Sequence, residues 1–385
     1  MHILVTNDDG PPSPTSSPYV HSLVRELQKA GHLVSVCLPH AQRSWVGKAH
    51  MIGQTVKPLY YRPSPTFDPT PAAADKVQGT THPRPSSDPA VEEWVLVDST
   101  PATAAQIGLH HFFRDRPPVD LVISGPNYGR NTTAVFALNS GTLGAALEAA
   151  VCRRRAIALS YAFFSRNHDP EIIAGASRHA VRVIESLYRQ WPADGAVDLY
   201  TVNVPLVEGV EHHKTLFAGM LQNTWGEGYS CFHEVEVPDP DDACDGGDQA
   251  EERIREDEKK AAAASALTDG GEIDDSDAAG NGVDAAKSKS VAPHRHFRWA
   301  PRFNDVYKSV EEAAPGNDGW CVKEGHTRYL SLTPPYTLCY FYAFMRVSQD
   351  CSGAEPTANL RRSVTPLKAN FWNAATNLYG TELTL

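Results

Sequence analysis

"ILVTNDDGPP", Ile3 to Pro12, is a run of β-formers that ends in Asn7, two adjacent aspartates and a glycine. A strand that leaves an apolar core in two side-by-side carboxylates needs something to offset their repulsion. Adjacent carboxylates are acceptor-only when ionised, and pressing them together raises one pKa unless a cation is near. Hard oxygen ligands of this kind suit Mg2+, Mn2+ or Ca2+. The same residues also read as a simple Asp-Gly turn, and Asp often caps helices. Position after the first strand of an α/β sheet makes the two readings about equal.

Outward from this strand, strand-like and helix-like segments alternate through the first 205 residues. "SPYVHSLVRELQKAG" has apolar residues at Val20, Leu23, Val24 and Leu27, the i, i+3, i+4, i+7 spacing of an amphipathic helix. Ser17 and Pro18 suit its start and Gly31 its stop. "LVSVCLP", "EEWVLVD", "VDLVISG", "AIALS" and "DLYTVNVP" read as strands. "STPATAAQIGLHHFF", "GTLGAALEAAVC" and "DPEIIAGASRHAVRVIESLYRQW" read as helices. Uniformly apolar strands alternating with helices imply a mostly parallel sheet covered on both faces. The expected fold is a Rossmann-like three-layer α/β/α sandwich with a C-terminal extension.

Two stretches interrupt the alternation. Residues of about 61–90 are rich in Pro, Ser and Thr and read as an extended surface loop. Those of about 237–292 are acidic and rich in Ala and Gly, and cannot bury enough apolar area to offset their ordering entropy. That segment reads as a disordered, solvated spacer.

The chain has 385 residues, 41% of them hydrophobic, and a formal net charge of −11. From Asp239 to Asp284 there are 16 acidic and 4 basic residues, which leaves the remainder near +1. A near-neutral body lacks the concentrated basic face that nucleic-acid binding requires. Seven scattered cysteines without a C-x-x-C pair give no disulfide framework and no zinc site. No signal peptide opens the sequence and no apolar run reaches the roughly 18 residues of a membrane span, so a cytoplasmic location is expected.

In an open parallel sheet, ligands bind beyond the carboxyl ends of the strands. Three polar loops lie there: "NDDG", "PHAQRSWVGKAH" and "SGPNYGRNTTAVFALNSGT". The third sets Asn127 and Asn131 among glycines, where backbone approaches a ligand closely. Ser140, Gly141 and Thr142 then form a helix N-terminus, whose N–H groups and dipole favour phosphate. Ser140 also reads as a plain helix cap. Neither GxGxxG nor GxxxxGK is present, which argues against a nucleotide cofactor and an oxidoreductase.

Together, "ILVTNDDG", "LPHAQRSWVGKAH", "DSTPATAAQIGL", "DLVISGPNYGRN", "NSGTLGAALEA", "LYTVNVPL" and "SVTPLKANF" are similar to the motifs of the SurE family. That family, also called survival protein SurE or 5′/3′-nucleotidase, comprises divalent-metal-dependent phosphatases. The closest likeness is to its fungal branch, in which such a domain precedes a tubulin-tyrosine-ligase-like one. The resemblance implies a single SurE-like domain over residues 1–385 and a metal site at Asp8, Asp9, Ser44 and Asn127, with Asp8 and Asp9 catalytic. It implies a phosphate site at Asn131, Ser140, Gly141 and Thr142. It further implies Mg2+ or Mn2+ as cofactor (Ca2+ as a substitute in crystals), a metal-activated water, and a small phosphomonoester such as a nucleoside monophosphate as substrate. Homodimerisation through the C-terminal part is a family habit, and no membrane partner is implied.

Two departures stand out. The family's "GTPADC" is "STPATA" here, from Ser99 to Ala104, without the acidic residue. Residues 328–362 separate "GWCVKEGHT" from "SVTPLKANF" with an aromatic, cysteine-bearing stretch that reads as a translated intron. The rival reading is a catalytically weak SurE-like scaffold that recruits partners.

Overall fold

The computed structural model describes residues 1–163, 166, 168–195, 197–235, 256 and 296–332. They fall into two compact units: Met1–Asn223 with the segment from Ala313 onward, and Thr224–Glu312.

The first unit contains, in chain order, β1 (His2–Thr6), α1 (Val20–Lys29), β2 (Leu33–Pro39), β3 (Pro58–Pro63), β4 (Gly79–His82), β5 (Trp94–Val97) and α2 (Pro101–His110). Next come β6 (Leu121–Tyr128), α3 (Thr133–Asn139), α4 (Gly141–Val151), β7 (Arg155–Ala162), α5 (Pro170–Arg189), β8 (Leu199–Pro205) and β9 (Thr215–Phe217). The second unit holds β10 (Phe232–Val235), β11 (His296–Trp299) and α6 (Asn304–Glu311). The chain then returns to the first unit with α7 (Asp318–Lys323) and β12 (Thr327–Leu332).

Among the described residues, ten strands form one sheet in the order β4-β3-β5-β2-β1-β6-β7-β8-β12-β9. Neighbours are parallel except where β3 meets β4 and β5, and where β12 meets β8. β1 is buried along its whole length, as a strand covered on both faces must be. One apolar layer joins the sheet to α1 and α5 through Leu23, Val24, Leu27, Ile173, Val183 and Ile184. The other joins it to α2 and α4 through Leu4, Val122, Ala104, Leu143, Ala146 and Ala149. The architecture is the expected three-layer α/β/α sandwich.

Local chemistry explains most element boundaries. Thr100 caps α2 by accepting from the Thr103 N–H, and Asp169 caps α5 by accepting from Glu171 and Ile172. Pro follows each cap at the first helical position. α1 differs from expectation. It starts after Tyr19 without a side-chain cap, because the Ser17 hydroxyl is used elsewhere, donating to the Gly10 carbonyl at 2.9 Å.

The Pro-rich stretch is also more ordered than an extended loop. β3 and β4 pair as an antiparallel ribbon at the sheet edge, from Tyr60 opposite His82 to Pro63 opposite Gly79. The atypical stretch begins inside β12, whose Arg328–Leu332 pair with β8. The rest of 328–362 and, except for Glu256, the acidic insert lie outside the described residues.

The second unit is small. β10 and β11 pair antiparallel, and α6 buries Val306, Tyr307 and Val310. Phe303 packs 6.1 Å from Trp225, and the Arg302 guanidinium lies 4.2 Å from the Tyr229 ring centroid.

Candidate active site

From β1 the chain builds outward on one side through β2 and β5, then crosses to the other through β6, β7 and β8. The strand order therefore reverses between β1 and β6, and the crevice at such a switch point is where open α/β sheets bind ligands. The loops after β1 and β6 both open there, and the loop after β2 lies beside them.

The "NDDG" turn is held by its own asparagine. Asn7 Nδ2 donates to the Gly10 carbonyl at 2.8 Å, and the Gly10 N–H donates to Asn7 Oδ1 at 3.0 Å. This leaves Asp8 and Asp9 to point elsewhere, although they are only 2% and 1% exposed. Asp9 accepts from the Tyr128 N–H at 2.7 Å and from Gln42 Nε2 at 3.2 Å. Asp8 Oδ1 accepts from the Thr142 hydroxyl at 2.5 Å. That hydroxyl is also 3.3 Å from Asn127 Oδ1, so one oxygen sits between a carboxylate and an amide carbonyl.

Asn127 reaches this place through an irregularity. The register of β6 on β7 shifts between Ser124 and Asn127, and bulges of this kind re-aim side chains at strand ends. Gly125 is required there, since a Cβ would collide with the Leu159 carbonyl oxygen. Asn127 Nδ2 donates to the Gly129 carbonyl at 2.8 Å, which fixes the amide so that Oδ1 faces the Thr142 side.

The loop after β2 is tied down on the first aspartate. The Arg43 N–H donates to the Asp8 carbonyl at 2.7 Å. Ser44 follows, half-buried. A Cβ on Gly141 would sit 2.8 Å from the Asp8 Cβ and 2.9 Å from the Arg43 carbonyl oxygen. The start of α4 thus presses directly on both loops, and only glycine allows it.

Of the eight residues singled out by sequence, Asp8, Asn127, Gly141 and Thr142 meet at one point, with Asp9 adjacent and Ser44 one residue past the Asp8 anchor. Thr142 contacts Asp8 and Asn127. Ser140 acts as the cap of α4, accepting from the Leu143 N–H at 3.2 Å. Asn131 braces the neighbouring strands: its N–H donates to Asn203 Oδ1 at 2.9 Å and its amide to Ser160 Oγ at 3.0 Å. Sequence reasoning missed Gln42, whose type carries no signal in a polar loop.

The donor set consists of two carboxylates, an amide oxygen and hydroxyls, all hard oxygens of the kind Mg2+ and Mn2+ prefer. Among the described residues no group of three or more His, Cys, Asp or Glu converges. A cation here would therefore complete its shell with Asn127, a hydroxyl and water, and the residues present fit that requirement.

The loop is latched on its far side as well. Glu148 of α4 is 2% exposed and takes Lys48 at 2.7 Å, His50 at 3.4 Å and Gln106 at 2.6 Å. Burial pushes its carboxyl up, but the bonds from Lys48 and Gln106 outweigh that and hold it below the usual range.

The profile of the family described as survival protein SurE matches residues 3–227. The chain is 35% identical over 216 residues to 5′-nucleotidase SurE of Ruegeria pomeroyi, spanning 55% of this chain and 70% of that protein. It is 34% identical over 209 residues to 5′-nucleotidase SurE of Carboxydothermus hydrogenoformans, spanning 54% and 67%. It is 36% identical over 240 residues to the probable tubulin–tyrosine ligase PBY1 of Saccharomyces cerevisiae, a match that spans 58% of this chain and only 31% of the yeast protein. The crystal structure of the SurE protein from Aquifex aeolicus superposes with a TM-score of 0.51 at 17% identity, over 90% of this chain and all of that one. That likeness speaks for the fold.

Proposed function

The chain belongs to the survival protein SurE family, and from that membership we propose that it is a divalent-cation-dependent phosphomonoesterase acting on nucleoside monophosphates. The observation that carries the reading is the pair of buried carboxylates at the switch point, with Asp8 sharing the Thr142 hydroxyl with Asn127. The relatives named 5′-nucleotidase support the substrate class.

Asp8, Asp9 and Asn127, with Ser44 from the loop after β2, would hold the cation. A divalent cation supplies charge neutralisation at a phosphoryl group and makes a water more acidic. The protein's own task is to position the groups, since little covalent work falls to it in phosphoryl transfer. The Tyr128 N–H and Gln42 fix the Asp9 carboxylate, and Thr142 fixes that of Asp8. The first N–H groups of α4, at Gly141 and Thr142, lie next to Asp8 and favour an anion there. With no acid or base in this set beyond the aspartates, water attack in line with the leaving alkoxide is the simplest chemistry.

The test is turnover of nucleoside monophosphates and an aryl phosphate by the purified full chain, with Mg2+ or Mn2+ and after chelation. Activity should vanish on chelation and in Asp8→Ala and Asp9→Asn. Variants that keep more than about a tenth of the activity, roughly 1.4 kcal/mol of barrier, would overturn the assignment. Mn2+ titration by calorimetry gives a second readout, which Asp8→Ala should abolish.

A further inference from the structure

We propose that Trp45 is the wall on which the base of a bound nucleoside monophosphate stacks, making this site selective for phosphomonoesters that carry a flat ring. The proposal rests on the reading above that phosphate binds beside Asp8. It begins with a conformational anomaly: Trp45 has φ of 60°, in the left-handed region. A bulky residue there costs roughly 1 kcal/mol or more, and such strain gathers at functional sites. Glycine would relieve it, yet the position holds the largest side chain available.

Placement explains what the strain accomplishes. Trp45 follows Ser44 and is half-buried. Two residues before it, the Arg43 N–H is bonded to the Asp8 carbonyl; two residues after it, the Gly47 N–H donates to the Asn139 carbonyl at 2.9 Å. Gly47 lies so close to α4 that a Cβ on Gly144 would strike its carbonyl oxygen. The span from Arg43 to Gly47 is therefore pinned at both ends, between the aspartate turn and the helices after β6. Chain geometry keeps the Trp45 Cα within roughly 7 Å of the Cα of Arg43, whose N–H is bonded to the Asp8 carbonyl. A nucleoside 5′-phosphate carries its base one sugar away from phosphorus, a comparable reach.

The indole is backed by a second ring. Phe136 of α3, 4% exposed, lies 5.6 Å from it at an interplanar angle of 59°. The buried guanidinium of Arg130 lies 5.7 Å from the same Phe136 ring. Trp45 is the partly exposed member of this trio, so it is the one able to offer area to a ligand. Base–aromatic stacking tolerates any base because every base has a π face.

Calorimetric titration of the full chain in Mn2+ compares a non-hydrolysable nucleoside 5′-methylenephosphonate with methylphosphonate. Wild type should prefer the nucleoside ligand. Trp45→Gly should weaken that ligand about tenfold and leave methylphosphonate within about twofold, while Trp45→Phe stays near wild type for both. Thermal melting should show that Trp45→Gly still unfolds cooperatively, the relieved backbone strain offsetting part of the lost contact with Phe136. Equal weakening of both ligands, no change in either, or a wild type that binds both ligands equally would overturn the proposal. A wild type that prefers the nucleoside ligand but turns over no monoester would sink the hydrolase reading and leave this one standing.

Discussion

Gly141 and Thr142 are where single atoms decide the outcome. Gly141→Ala would place its new carbon 2.8 Å from the Asp8 Cβ and 2.9 Å from the Arg43 carbonyl oxygen, so the carboxylate or the loop must move. We expect a loss of about 1–3 kcal/mol in stability, read by denaturant unfolding, with a larger fall in kcat/KM. Thr142→Val keeps the shape and removes the donor to Asp8. The expected cost is about 1–3 kcal/mol at the site, with Thr142→Ser restoring most activity. At this scale the sequence was legible where residue type and position agreed: two aspartates at a strand tip and an asparagine among glycines. It was not legible where duty depends on direction. Thr142 and Ser140 are neighbouring hydroxyls, yet one turns to a carboxylate and the other back onto its own helix. Asn131 carries the same amide as Asn127 but braces the sheet.

Elements followed from periodicity wherever they were long. The amphipathic spacing of α1 and the Pro-led starts of α2 and α5 could be read directly. α3 could not, because seven residues are too few to show a helical period and its Thr132 cap makes no side-chain bond. β3 and β4 hid behind prolines, which an edge strand tolerates because part of its backbone needs no ladder partner. α4 is the element the site leans on most. Ser140→Ala should cost about 1 kcal/mol through loss of the cap, measured by thermal or chemical melting. Lys48→Met would leave the Glu148 carboxylate with His50, Gln106 and the weakly donating Cys152 thiol in a buried place. We expect about 1–3 kcal/mol of destabilisation, read by urea unfolding.

Across the whole first unit, distant segments converge on the loops of the candidate site. Asp318 of α7 is fully buried and accepts from the Thr133 N–H and the Leu221 N–H, both at 2.8 Å. Thr133 has φ of 70° and follows the Asn131 brace, so Asp318→Ala should loosen that loop and lower both stability and turnover. A sequence separation of 185 residues leaves no local trace of such a bond. His179 makes a similar long-range staple on α5, 3.0 Å from the Thr327 hydroxyl and 3.3 Å from that of Thr215. Burial, with the nearby Arg182 charge, lowers its pKa from 6.5 to about 4. Between those values the unfolded chain takes up a proton that the folded one refuses. The His179 contribution to stability is therefore fully present above about pH 6.5 and is lost as pH falls toward 4, on the order of 3 kcal/mol at most. Urea unfolding at pH 7 and pH 4.5 should show the decline, and His179→Gln should flatten it.

β12 also bears on how the protein is born. It enters the sheet between β8 and β9, antiparallel to one and parallel to the other. A ribosome therefore delivers β8 and β9 long before the strand that joins them. Until then the nascent chain carries an open apolar border beside β8. Products of messages cut short before residue 327 should accordingly be recovered with chaperones or in inclusion bodies.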